Sequence, residues 1–202
     1  MNWTIALWLA AAVVSQAQTI TTVGSFNRTD GDPRVLVQDS AGNFYMVSGV
    51  GTVFRMTPAG GLSTVYTFPL TDIVTGLVLA SDGNSYGTTA VGGSGACSMF
   101  QGTSVMGCGT FFKMTPSGVP TVLHTFQGPQ DGETVHAGLV FDQGNLYGST
   151  LVGGGIFRID MSGNFSVVYT LNSNGTGPST MIHDSEGTLY GTYGDEFFRF
   201  TP

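Results

Sequence analysis

GTFFKMTPSG at positions 109–118 decides the fold, because GTVFRMTPAG at 51–60 nearly duplicates it. Two weaker copies follow, Gly155-Ile-Phe-Arg-Ile-Asp-Met-Ser-Gly163 and Glu196-Phe-Phe-Arg-Phe-Thr-Pro202. Each copy is a short Phe-Arg/Lys strand running into a turn. The strand phenylalanines Phe54, Phe112, Phe157 and Phe198 are 58, 45 and 41 residues apart. A period of this length means one supersecondary unit used repeatedly.

The third copy serves as template for the unit. Leu139-Val-Phe141 is strand A, Asp142-Gln-Gly144 a tight turn, and Asn145-Leu-Tyr-Gly-Ser-Thr150 strand B. Leu151 to Gly154 is a loop, Gly155–Asp160 strand C, and Asn164–Leu171 strand D. Runs of Val, Phe, Tyr and Thr bounded by Gly and Asp are strand signals, and short turns between them imply an antiparallel meander. Strand B carries Tyr45, Tyr86, Tyr147 and Tyr190 in the successive copies. Repeated four-stranded meanders predict an all-β propeller, here with four blades.

The phase of the repeat sets a closure. Thr19-Ile-Thr-Thr-Val-Gly-Ser-Phe26 matches strand D, and the chain stops after strand C of the fourth copy. The N-terminal strand is therefore expected to complete the last blade, removing two open edges. The ring closes either within one chain or in a homodimer sharing one eight-bladed ring.

Composition fits this architecture. Charged residues make up 9% of the chain, Gly contributes 31 of 202 residues, and 41% are hydrophobic. Thr, Ser, Asn and Gly supply the polarity, as strands and tight turns require. Net charge is −7, and six Lys plus Arg scattered singly cannot make the basic stripe that nucleic acid needs. Residues 1–17 read as a signal peptide: Ile5–Val14 is apolar and Ser15-Gln16-Ala17 offers a cleavage site. The mature chain, 18–202, is then one secreted or periplasmic domain without a membrane span. Cys97 and Cys108 fall in the insertion 92–108 of the second copy and are expected to pair in an oxidising compartment. Zinc would need further ligands that the neighbouring sequence lacks.

The motifs GTFFKMTPSG, TVLHTF, AGLVFDQGNLYGST and VGG resemble the GloVer (gloeo/verruco) tandem repeat, over about residues 19–202. The resemblance implies a secreted, mostly bacterial, propeller-like protein. It implies no established enzymatic activity and supplies no catalytic residues.

Most repeated polar residues read as scaffold. Arg55, Lys113, Arg158 and Arg199 share one strand C position, where the stem covers a blade and the head meets a turn carboxylate. Asp39, Asp82, Asp142 and Asp184 begin or end turns too short for a calcium loop. His124 falls where Tyr66 and Tyr169 stand in strand D, so it fills an aromatic slot. No nucleophile elbow, HExxH or phosphate loop occurs. Neither a cofactor nor a metal is expected.

The loop face remains. The D–A and B–C loops project from one side and hold Asp30, Asp32, Asp72, Asp131, Glu133, His136 and Phe100, the candidate ligand-binding residues. The leading expectation is an exported, non-catalytic binding or interaction module for a glycan or protein partner. The runner-up is a secreted carbohydrate-active enzyme using Asp131 and Glu133, since glycosidic chemistry needs two nearby carboxylates. A third reading is a structural repeat of a larger extracellular assembly.

Overall fold

The computed structural model describes residues 20–23, 25–26, 31–69, 72–95, 97, 107–128, 131–135, 138–153, 155–170, 177–178 and 180–202. The proposed signal peptide lies outside them. Every regular element among them is a strand.

The strands form four antiparallel sheets in chain order. Sheet one holds β1 (Pro33–Gln38), β2 (Phe44–Ser48), β3 (Thr52–Met56) and β4 (Leu62–Thr67). Sheet two holds β5 (Val74–Leu79), β6 (Ser85–Thr89), β7 (Thr110–Met114) and β8 (Pro120–Thr125). Sheet three adds a short strand β9 (Glu133–Val135) to β10 (Val140–Asp142), β11 (Asn145–Val152), β12 (Gly155–Asp160) and β13 (Phe165–Thr170). Sheet four holds β14 (Thr180–His183), β15 (Leu189–Tyr193) and β16 (Glu196–Phe200). Strand β9 was not expected. It extends the template's B strand to Val152 by pairing with it.

Asparagine, aspartate and glycine make the hairpins. Asp39 Oδ1 accepts from the amides of Ala41 and Asn43, and Asp184 Oδ1 from those of Glu186 and Thr188. Each such side chain replaces the backbone partner that the turn cannot supply. Gly42, Gly83, Gly144 and Gly187 close these turns with φ between 79° and 82°, which L side chains rarely adopt.

Cross-strand pairing explains the recurrent Tyr-Gly and Phe-Arg/Lys dipeptides. Tyr86 stands opposite Lys113, Tyr147 opposite Arg158, and Tyr190 opposite Arg199. The next pairs set Gly87, Gly148 and Gly191 opposite Phe112, Phe157 and Phe198, whose rings leave no room for a Cβ. The tip of each phenylalanine ring thus fills the space that a side chain on the facing glycine would need. Sheet one has Met46 at this place.

The sheets pack face to face, and each junction uses the same positions. Phe112 and Met114 of sheet two meet Val47 and Val53 of sheet one. Phe157 and Ile159 of sheet three meet Tyr86 and Phe111 of sheet two. Met181, Leu189, Phe198 and Phe200 of sheet four meet Val140, Tyr147 and Ile156 of sheet three. Complete burial of one such aromatic contributes about 1.5–3 kcal/mol. The strand C to strand D pairing slips at the same place in sheets one, two and three, making Val65, Leu123 and Val168 bulged residues.

One expectation is corrected. The N-terminal segment does not complete the last sheet of its own chain: sheet four has three strands among the described residues, and residues 20–23 and 25–26 pair with none of them. Instead Val23 and Phe26 lie against sheet one, Phe26 packing on Phe54. The reason is geometric, since sheet four does not come round to cover sheet one, whose Leu36 stays exposed.

Candidate functional site

The D–A and B–C loops interlock through backbone bonds, as a shared face requires. Gly49 N–H donates to Asp32 O, Ala90 N–H to Ile73 O, and Thr134 N–H to Cys108 O. Cys97 and Cys108 form the expected disulfide, and both residues are buried. It pins the insertion beside Gly128 of the next D–A loop.

Of the expected site residues, Asp32, Asp72, Asp131 and Glu133 are described, while Asp30, Phe100 and His136 lie outside the described residues. Asp32 works through its carbonyl. The Asp72 carboxylate lies so close to Gly92 that a Cβ there would not fit. Glu133 sits on β9 opposite Val152.

Both carboxylate oxygens of Asp131 have partners. Its Oδ2 stands 3.0 Å from His124 Nε2, and its Oδ1 accepts from Gln127 N–H at 2.8 Å. The His124 ring stacks on Phe165 of the next sheet, centroids 4.2 Å apart. His124 therefore does fill an aromatic slot, but it also fastens the loop that carries Asp131. Sequence reading missed this pairing, although the spacing of seven residues across a turn is its visible trace. The cleft beside Asp131 measures about 80 Å³ and is lined by Gly132, Thr150, Gly153 and Thr170 among others. That volume holds about two or three waters.

A larger cleft lies at the opposite end, among the A–B turns of sheets one and two. It measures about 550 Å³, and its walls include Gln38, Ser40, Tyr45, Ser81, Ser85 and Thr115. Asp39 also borders it, with its carboxyl held below the usual range chiefly by the Asn43 side chain. On the same side Asp82 accepts from Asn84, Tyr86 Oη and Lys113 Nζ. Burial alone would raise the Asp82 carboxyl, but these bonds hold it at about 2. Among the described residues, no group of three or more His, Cys, Asp or Glu could hold a metal ion.

No protein-family pattern and no curated protein matches the sequence. Solved structures do. A catalytically inactive virginiamycin B lyase from Staphylococcus aureus, crystallised with quinupristin, is similar with a TM-score of 0.64 at 17% identity. The match covers 88% of this chain and 58% of that one. A gluconolactonase from Xanthomonas campestris matches with a TM-score of 0.60 at 14% identity, over 83% of this chain and 58% of that one. The calcium-binding protein regucalcin from Agrobacterium tumefaciens matches with 0.60 at 16%, over 83% and 56%. These are β-propeller proteins. The fold is all-β and propeller-like. At such identities the likeness concerns the fold alone, and this chain spans less than two thirds of the length of each of these structures.

Proposed function

We propose that the chain is an exported, non-catalytic binding module of the GloVer-like kind, released by removal of residues 1–17, and that it takes a neutral polar ligand such as a glycan. One observation carries this reading: the cleft among the A–B turns of sheets one and two sets the hydroxyl and amide groups of Gln38, Ser40, Tyr45, Ser81, Ser85 and Thr115 beside an apolar wall of Val65, Leu79, Met114 and Pro116, with its one carboxylate committed to a turn. Such walls bind by hydrogen bonding, as sugar hydroxyls require. The Cys97–Cys108 bridge supports export, because disulfides persist in oxidising compartments.

The carbohydrate-active enzyme reading is weaker. It needs two free carboxylates about 5–10 Å apart, flanking a bond. Both oxygens of Asp131 are occupied, and the adjoining cleft is too small for a sugar ring.

A glycan array followed by calorimetry tests the proposal. Gln38→Ala and Tyr45→Ala should weaken binding of the selected glycan at least tenfold, with the glycan recovered intact. Loss of binding in Asp131→Asn or Glu133→Gln instead would move the site to the loop face. Cleavage of the glycan that stops in those two variants would establish the enzyme.

A further inference from the structure

The two ends of the row of sheets are the two halves of a junction the chain makes three times internally. Leu36 of β1 occupies the place that Leu77, Leu139 and Met181 hold in the other sheets. Those three are 3%, 8% and 6% exposed because a preceding sheet covers them; Leu36 is 64% exposed. At the other end, Phe197 of β16 occupies the place of Val53, Phe111 and Ile156. Those are 0%, 0% and 1% exposed, whereas Phe197 is 73% exposed. Phe197 even keeps the stack on its strand B tyrosine, 6.0 Å from Tyr190, as Phe111 lies 5.9 Å from Tyr86.

The N-terminal segment sharpens the match. In sheets two and three, the C–D turn glycine abuts the bulged strand D residue of the preceding sheet: Gly118 meets Val65 O and Gly163 meets Leu123 O. Gly60 of sheet one meets Val23 O in the same way. Phe26 packs on Phe54 with centroids 5.3 Å apart, as Phe126 packs on Phe157 at 5.4 Å. Residues 20–23 and 25–26 thus occupy the outer-strand place of a sheet that would precede sheet one. Among the described residues no inner strands of such a sheet lie beside them, and sheet four has no outer strand.

We propose that a second copy of this chain fills the gap. Its sheet four docks on Leu36, Met46 and Phe54 of the first copy, and its β16 pairs with residues 20–26. The reciprocal contact closes a ring of two chains and eight sheets, the upper end of the common propeller range of about four to eight blades. Such a ring has two-fold symmetry, so each of its two junctions sets sheet four of one copy against sheet one of the other. A single chain does not close on itself: Leu36 and Phe197, on the two faces that closure would bring together, are both exposed. This inference is independent of the ligand reading.

Sedimentation or light scattering of the purified protein gives the test. The mass should be twice that of one chain. Leu36→Asp and Phe197→Asp should each yield a folded single chain, since both side chains are exposed in one copy. Val119→Asp, at an exposed position away from both faces, should leave the pair intact. Mixing the two Asp variants should restore part of the paired mass, because one of the two contacts is then unaltered. A single-chain mass for the parent protein overturns the proposal. So does a higher multiple, or a pair that survives either Leu36→Asp or Phe197→Asp.

Discussion

The ring of Phe26 meets that of Phe54 edge-on, at 5.3 Å, although the two residues belong to different repeats. Phe26 is half-buried, and it caps a face otherwise left open. In a single unpaired chain, such as the Leu36→Asp variant, Phe26→Ala should therefore cost about 1 kcal/mol in denaturant unfolding. Phe126→Ala, at the equivalent but fully buried position, should cost about 3–5 kcal/mol. A loss at Phe26 as large as at Phe126 would mean that Phe26 is buried as deeply, as it would be beneath a second copy of the chain.

Gly148 lies against the tip of the Phe157 ring, with no space for a side chain. Gly148→Ala should destabilise the protein by about 1–3 kcal/mol through forced displacement of that ring. Gly138→Ala, where a Cβ meets nothing within 4 Å, should be close to neutral. Thermal melts of the two variants check the contrast.

The Asp82 carboxyl is held at about 2, against 3.8 unperturbed. The folded-state value is the lower one, so its stabilisation is complete above the unfolded value and disappears as pH falls toward 2. The side chain is partly exposed, which limits the effect to the order of 1 kcal/mol. Asp82→Asn should be less stable than the parent by that amount near neutral pH, with the gap closing in acid. A gap independent of pH between roughly 6 and 2 would show that charge has no part in it.

Cys97 and Cys108 close a loop with a sequence separation of 11. Replacing both by Ser should cost about 3 kcal/mol on the chain-entropy account. Unfolding of the parent under reducing conditions should show the same loss.

The strands, hairpins and disulfide were legible because their causes are local: Asx turns, positive-φ glycines, and two cysteines in one insertion. The Tyr-Gly dipeptide was visible as a repeat, but its reason, a phenylalanine tip from the adjacent strand filling the glycine's side-chain space, needs the register. The strand D character of residues 19–26 was also readable. Which sheet they would join was not, because ring curvature is set by the sum of many face contacts and by no single motif. The loop carboxylates could be named from the sequence, but their partners could not. Asp131 carries the right chemistry for a site, yet His124 and the Gln127 amide consume it. The cleft bordered by Gln38 and Tyr45 escaped notice because turn residues from two repeats form it jointly.

The central claim is that residues 20–26 and β16 are unfilled partners of a fourth junction. Amide hydrogen exchange in solution tests it most directly. The account predicts protection throughout 196–200, at the amides facing away from β15 as well as those bonded to it, and comparable slow exchange within 20–26. Fast exchange at every outward amide of β16, with 20–26 equally unprotected, would contradict it.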